Sequence, residues 1–200
     1  DVRRWDEALS VSEISQDATF VTEAIGAALY DLLATGRTSS LQRWITAARA
    51  AGAEGGLIDY AESEALLRGD ELDPAMALAT QAVRSLEGDL AARAHLVAGR
   101  AAHLVDRSRL AEEHAESAAS LMRTSATRDG VLWLRFLAGI GTEAQDLRDR
   151  VDDFKRNSRT GIDQSAMAAC ASLTLAGLEG ELEPAIDHAR CTLSVAKEGI

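Results

Sequence analysis

The stretch HLVAGRAAHLVDRSRLAEEHAESAASL, from His95 to Leu121, decides the fold. It is rich in Ala and Leu, which favour helix, and it places small residues at Gly99, Ala111 and Ala118. A small side chain lets two helix backbones approach closely, whereas a large one would hold them apart. The spacing therefore predicts two antiparallel helices, the first crossing the second at Gly99.

Two further sets of small residues with similar spacing precede this one. The first-helix residues of the three sets are 35 and 36 positions apart, and a tetratricopeptide repeat runs for about 34 residues. The earlier sets are Ser63, Ala75 and Ala82, and before them Ala28, Ser40 and Ala47. We therefore expect an all-α, tetratricopeptide-like fold, a right-handed superhelical solenoid of antiparallel helix hairpins.

The composition supports helices throughout the chain. Apolar residues make up 46% and aromatic residues 4%, there are two prolines, and no β-branched or aromatic run suggests a strand. We expect a single domain over residues 1–200, with a lead-in helix from about Val11 to Glu13 onward and then about five hairpins. The repeats are clearest over 19–121 and degenerate over 122–160, and a last hairpin covers 164–199.

Turn chemistry indicates where two of the helices begin. Asp73 can cap a helix by accepting a backbone N–H, with Pro74 at the first helical position, where its missing N–H costs nothing. Thr142 and Gln145 have the spacing of a capping box, which makes Gly139–Gly141 the preceding turn. Both assignments are predictions about helix starts.

The charge balance excludes some partners. A net charge of −11 argues against binding of duplex nucleic acid and against a polybasic membrane contact. No apolar run approaches the ~20 residues that span a bilayer, and no signal peptide is evident. We expect a cytoplasmic protein with Cys170 and Cys191 as buried, reduced thiols. Because the chain opens at Asp1, we also expect a fragment of a longer protein.

The segment LYDLLATGRTSSLQRWITAARAAG, from Leu29 to Gly52, is more specific than the generic repeat. It has paired leucines, a Gly-Arg turn, a leucine and a tryptophan, and a second repeat follows it. The positions are Leu32, Leu33, Gly36, Arg37, Leu41, Trp44 and Ile45, then Leu66, Leu67, Gly69 and Ala75. This pattern resembles the helical repeats of the large LuxR-type, maltose-activator-like transcriptional regulators. The resemblance covers Ala28–Leu121 well and the remainder loosely.

That resemblance implies a superhelical sensor domain. In the family, an ATP-hydrolysing switch module precedes the repeats and a DNA-binding helix-turn-helix follows them. The present chain contains no G-x-x-x-x-G-K-[ST] phosphate loop and no basic helix-turn-helix. We therefore expect this segment to bind neither ATP nor DNA.

Motifs for catalysis or metal binding are missing. The histidines form no H-x-x-x-H pair, and neither E-x-x-H nor G-x-S-x-G occurs. We expect a non-enzymatic segment without cofactor or metal. Trp44, Trp133 and Phe136 could form an aromatic cage, although their spacing favours core packing.

The candidate binding residues follow from solenoid geometry. Stacked repeats place their first helices on a concave surface, and residues pointing away from the second helix line the groove. Spacings of three, four and seven residues put these side chains on one helix face. The candidates are Tyr60, Glu64, Arg93, Arg100 and His103, with Leu96 among them, and Arg135 in the degenerate hairpin. The alternative interpretation is an ordinary solvated face.

The leading functional hypothesis is an effector-sensing segment of a LuxR-type regulator. Its partners would be a peptide, protein or small-molecule effector and the other domains of the parent chain. The alternative is a protein-interaction scaffold of an unrelated signalling or assembly protein. The residues leave open whether the chain forms a homo-oligomer.

Overall fold

A computed structural model describes residues 5–157 and 162–180 and the single positions 183, 186, 187 and 190. These residues form ten helices and no strand, which confirms the all-α prediction. The helices are α1 (Trp5–Ser15), α2 (Ala18–Ala34), α3 (Thr38–Ala50), α4 (Gly56–Arg68), α5 (Leu72–Val83), α6 (Gly88–Leu104), α7 (Ser108–Leu121), α8 (Ser125–Gly141), α9 (Leu147–Asn157) and α10 (Ile162–Glu179).

Each helix packs on its neighbours in the chain, because the connections are short. The even-numbered helices also contact one another in order, from α2 through α4, α6 and α8 to α10. Among the odd-numbered helices of the described ranges, only α1 and α3 make such a contact. The even-numbered helices therefore form a continuous row, which we call the inner row.

One turn geometry ends α2, α4, α6 and α8. A residue with positive φ follows the helix, and the next N–H donates to the carbonyl five residues earlier, as in a Schellman motif. After α6, for example, the N–H of Arg107 donates to the carbonyl of Ala102 at 2.8 Å. The positive-φ residues are Gly36, Asp70, Asp106 and Glu143, at intervals of 34, 36 and 37. We call them the turn residues, and they define a common register for the inner row.

This register corrects the predicted position of the first hairpin. Ser63 and Gly99 each stand seven residues before their turn residue. Ser63 is fully buried, and Gly99 is in close contact with neighbouring helices. In α2 that position is Leu29, so the predicted Ala28 is one residue too early, although it is buried as well. On α3 the fully buried residues are also one position later, at Leu41 and Ala48 instead of Ser40 and Ala47.

Several predicted helix boundaries were wrong. The N-cap of α5 is Glu71, so Pro74 is the third residue of the helix, and no side chain caps its first turn. Thr142 is the C-cap of α8 and donates its hydroxyl to the carbonyl of Ala138, so it does not begin a helix. The helix α8 runs through the predicted turn at Gly139–Gly141, and α1 begins at Trp5, before the predicted start. The local capping motifs therefore did not determine where these helices begin and end.

The centre of the molecule is packed mainly with alanine. The buried residues of α5 are all alanine. Those of α6 and α7 are alanine too, except for Val97, Gly99 and His114. A Cβ added at Gly99 would lie 2.4 Å from Leu134 Cδ2 on α8 and 3.1 Å from His114 Cβ on α7. The predicted close crossing at Gly99 therefore exists, and it involves two neighbouring helices.

The last predicted hairpin, 164–199, is described through α10, and most of its second half, with Cys191, lies outside the described residues. Cys170 is exposed and unpaired, contrary to the expected buried thiol. Trp44 is fully buried, as its predicted core role requires. Within the described ranges, no helix has the length and apolarity needed to cross a lipid bilayer.

Candidate functional site

A cleft of about 290 Å³ opens along the inner row, between α4, α6, α8 and α10. It brings together four of the six predicted binding residues. The side chains lining it are Tyr60, Glu64, Arg93, Leu96, Val97, Arg100, Ala126, Thr127, Gly130, Trp133 and Met167. Hereafter this is the inner-row cleft.

The common register of the helices explains why these residues meet. Glu64 and Arg100 both lie six residues before their turn residue, on adjacent helices of the row. Tyr60, Leu96 and Trp133 all lie ten residues before theirs. Equivalent positions on packed helices of one row face the same side. The cleft is therefore lined by equivalent positions of α4, α6 and α8.

Glu64 is the most buried charged residue of the cleft, with 8% of its surface exposed. The Tyr60 hydroxyl, itself buried, donates to Glu64 Oε1 at 3.3 Å. Glu64 Oε2 is buried and accepts no hydrogen bond, and Arg68 Nη2 lies 3.6 Å from it. A buried carboxylate oxygen without a donor is unfavourable, because it has lost its water. Burial, together with the Glu64 carboxylate, raises the pKa of Tyr60 well above its usual value, so the phenol stays a donor.

Arg93 is already neutralised by its own helix. Its Nε donates to Asp89 Oδ2 at 2.9 Å, an i, i+4 ion pair on α6. The guanidinium also lies over the Tyr30 ring, with Cζ 4.4 Å from the ring centroid. Arg93 therefore supplies shape and hydrogen-bond donors to the cleft, while its charge is balanced by Asp89.

Asp89 also fixes the loop that leads into α8. Its carboxylate accepts from the backbone N–H groups of Arg123 and Thr124, each at 3.0 Å, and from the Thr127 hydroxyl at 2.9 Å. Desolvation is the largest influence on the pKa of Asp89 and raises it. The combined hydrogen bonds from Arg123, Arg93, Thr127 and Thr124 outweigh it and hold the pKa well below its usual range. The ionised Asp89 thus holds the edge of the cleft in place.

Arg100 is exposed and makes no ion pair or hydrogen bond within the described part of the chain. In particular, it does not pair with Glu64 across the helix row, because the cation near Glu64 is Arg68. The same cleft has apolar lining residues. Leu96 and Trp133 are half-buried, and Met167 is contributed by α10. The cleft therefore combines charged and apolar side chains.

Two predicted site residues lie elsewhere. His103 is half-buried in the last turn of α6, with its Nδ1 buried and unbonded, and it does not line the cleft. Arg135 lines a separate cavity of about 210 Å³ between α8 and α9. There Arg150 forms ion pairs with Glu112 and Asp146 at 2.5 and 2.9 Å. Arg135 faces this second cavity because its side of α8 turns toward α9.

A pair of histidines joins α6 and α7 behind the cleft. The Nδ1 atoms of His95 and His114 are 3.0 Å apart, so one donates and the other accepts. Burial lowers the pKa of both rings, to about 4 for His114, where the nearby His95 lowers it further. No group of three or more His, Cys, Asp or Glu side chains in the described residues could hold a metal ion. The pair therefore acts as a neutral contact between helices.

Sequence reasoning missed several residues of the cleft and its support. The i, i+4 pair of Asp89 and Arg93 at a helix start was a visible signal. The spacing of Trp133 favoured a role in the core or in an aromatic cage, although Trp133 also lines the cleft. Its ring packs against Phe136 and Phe154, with ring centroids 5.4 and 5.9 Å away. Met167 on α10 carried no local signal.

Comparison of the chain with protein-family models, curated proteins and solved structures found no match.

Proposed function

We propose that this chain is a non-catalytic, ligand-binding segment built from tetratricopeptide-like hairpins in a right-handed solenoid. The inner row would be its concave side. This arrangement is supported by the contacts between successive even-numbered helices, which the odd-numbered helices from α3 onward lack in the described ranges. Helices on the inside of a curved stack come closer together than those on the outside.

The observation that carries the proposal is the uncompensated polarity of the inner-row cleft. Within the described residues, Glu64 Oε2 is buried and accepts no hydrogen bond, and the exposed Arg100 makes no ion pair or hydrogen bond. Buried polar groups are usually hydrogen-bonded within the fold, so Glu64 Oε2 is an exception. A concave site with apolar walls and a few unsatisfied polar groups is typical of a small-ligand site.

The same proposal places the segment in a cytoplasmic, LuxR-type regulator as its effector sensor. The quoted Leu29–Gly52 pattern supports that placement, and the net charge of −11 fits a segment that leaves DNA binding to another domain. Ligand binding would then change the state of the other domains of the parent chain. A broad protein-interaction scaffold is less well supported, because Glu64 and Arg100 lie in one cleft of about 290 Å³ and not on an extended surface.

A thermal-shift screen of small polar metabolites tests the proposal. A ligand that binds only the folded state stabilises it by about 2.7 kcal/mol at one hundred times its dissociation constant. This stabilisation raises the melting temperature. Ligands that stabilise the wild type should stabilise Arg100→Gln much less. The matched control is Arg109→Gln on α7, whose side chain is 94% exposed and lies outside the cleft. Equal stabilisation of Arg100→Gln and wild type by every active compound would place the site elsewhere.

In the parent regulator, Arg100→Gln should shift the effector dose response to higher concentration without lowering protein abundance. A reporter assay and an immunoblot measure the two quantities. An unchanged dose response would leave the segment with a scaffold role only.

A further inference from the structure

We propose that the ligand of the inner-row cleft is a small zwitterion, an α-amino carboxylate or a short peptide with free termini. Its ammonium group would meet Glu64, its carboxylate would meet Arg100, and an apolar side chain would lie against Leu96 and Trp133. This inference rests on the proposed function and names its ligand class.

The ammonium end follows from the state of Glu64. The Tyr60 hydroxyl occupies Oε1, whereas Oε2 is buried and accepts no hydrogen bond. Arg68 is close enough for ionic attraction but too far for a hydrogen bond. A ligand ammonium can supply the missing hydrogen-bond donor. Tyr60 and Trp133 line the same cleft, and aromatic rings attract cations.

The carboxylate end follows from the remaining charges. Arg93 pairs with Asp89, and Glu64 lies beside Arg68, so their charges are balanced within the protein. Arg100, at the same cleft, has no ion-pair partner among the described residues. A planar guanidinium binds a carboxylate through two parallel hydrogen bonds. A simple amine would leave Arg100 unpaired, and a simple carboxylate would leave Glu64 Oε2 without a donor.

The apolar wall sets the third requirement. Leu96, Val97, Trp133 and Met167 form a surface without polar side-chain atoms except the indole N–H. Leu96 lies over Gly130, where an added Cβ would be 2.7 Å from Leu96 Cδ1. The missing side chain at Gly130 thus lets Leu96 lie flat against α8 and leaves room in the cleft. A ligand with an aliphatic side chain would gain from burial there.

Isothermal titration calorimetry with four probes tests this inference on the intact chain. The probes are L-leucine, L-leucyl-L-leucine, the dipeptide with an acetylated amino terminus, and the dipeptide with an amidated carboxyl terminus. We expect at least one free zwitterion to bind. For the dipeptide, blocking either terminus should weaken binding by at least about tenfold, the usual effect of one charge-assisted hydrogen bond.

Two variants assign each terminus to its residue. In Glu64→Gln, acetylation of the amino terminus should no longer weaken binding. The ratio of the dissociation constants of the acetylated and the free dipeptide should therefore fall toward one. In Arg100→Gln, amidation should likewise lose its effect, while the penalty for acetylation is kept. Arg109→Gln should behave as wild type. Because Gln is nearly isosteric with Glu, circular dichroism and melting should show that Glu64→Gln still folds.

Other results overturn the inference. If neither L-leucine nor the free dipeptide binds the wild type, or if blocked and free dipeptides bind equally, the ligand is not a zwitterion. This holds even should Glu64→Gln fail to fold, because the blocked probes act on the wild type. If metabolites from the screen still bind in an Arg100-dependent manner, the proposed function survives without this ligand class. If nothing binds through Arg100, both fail.

Discussion

The two faces of α6 differ in how completely their groups are satisfied. The face toward α7 and α8 is closed, with Gly99 in contact with two helices and His95 bonded to His114. The adjoining face, turned by about 60–100° from Gly99, carries Leu96 and Arg100 beside the inner-row cleft. Both faces belong to one helix of 17 residues, so the difference arises from packing and not from helix propensity.

The comparison teaches that charged content alone does not mark a binding site. The cavity between α8 and α9 is richer in charge than the inner-row cleft, yet Arg150 there pairs with Glu112 and Asp146 and donates to the carbonyl of Arg135. In the inner-row cleft, Arg100 has no such partner within the described chain. Within the described residues, the two sites differ in Glu64 Oε2, a buried oxygen of the inner-row cleft that accepts no hydrogen bond.

The largest expected effect is on the closed face. Gly99→Leu should destabilise the chain by ~3 kcal/mol, the upper end of the usual range for overpacking. The reason is that even a Cβ would lie 2.4 Å from Leu134 Cδ2. Chemical denaturation measures the change. Glu116→Leu, at an exposed position of α7, is the control and should stay within about 0.5 kcal/mol of wild type. Equal stability of the two variants would refute the close crossing.

The support of the cleft should give the next effect. Asp89→Asn removes the charge that accepts from Arg93, two backbone N–H groups and Thr127. We expect a loss of ~2 kcal/mol, within the range for hydrogen bonds to a charged group. Hydrogen exchange should also increase at Arg123 and Thr124. An unchanged exchange rate there would show that Asp89 does not fix the loop.

A smaller effect should appear with pH at the histidine pair. Burial lowers the pKa of His114 to about 4, against about 6.5 in an unfolded chain. Between these values the unfolded chain binds more protons than the folded one, so stability should decrease as pH falls from 6.5 toward 4. Allowing for solvent screening, we expect roughly 1–2 kcal/mol from this site.

Denaturation of wild type and His114→Gln at several pH values measures the effect. The decrease between pH 6.5 and 4 should be smaller in the variant, whereas Glu116→Gln on the same helix should retain the wild-type slope. Identical slopes for His114→Gln and wild type would mean that the pair carries no pH dependence.

The smallest effect on stability should be on the open face. Arg100→Gln should change the free energy of unfolding by less than about 0.5 kcal/mol, because Arg100 is exposed and unpaired. The same substitution should have the largest effect on ligand binding. A clear loss of stability would mean that Arg100 supports the fold, and the contrast between the two faces would disappear.

Sequence patterns predicted the helices better than their ends. Ala and Leu content and the spacing of Gly99, Ala111 and Ala118 identified helices that pack closely, since helix propensity and small residues act locally. The turn residues Asp70 and Asp106 were missed, because left-handed residues are usually glycine and Gly69 stands beside the first. The cap predicted at Thr142 failed because α8 continues through Gly141 and Thr142 is its C-cap.

The site was predicted in part for the same reason. Helical spacing placed Arg93 and Arg100 on one face, which requires only periodicity. It could not show that Tyr60 and Glu64 are buried, because burial depends on which helices pack against α4. Nor could it separate Arg135 from the others, since its direction depends on how α8 and α9 pack. The contribution of Met167 depends on α10, more than 60 residues along the chain from Arg100.

The alanine interior of α5, α6 and α7 has a mechanical consequence. A methyl group has no χ rotamer, so a contact between two alanines cannot relax by side-chain rotation as a contact between leucines or methionines can. A small displacement of α6 at the cleft must therefore be taken up by movement of whole helices. The same residues that bring the backbones together therefore make α5, α6 and α7 a stiff unit.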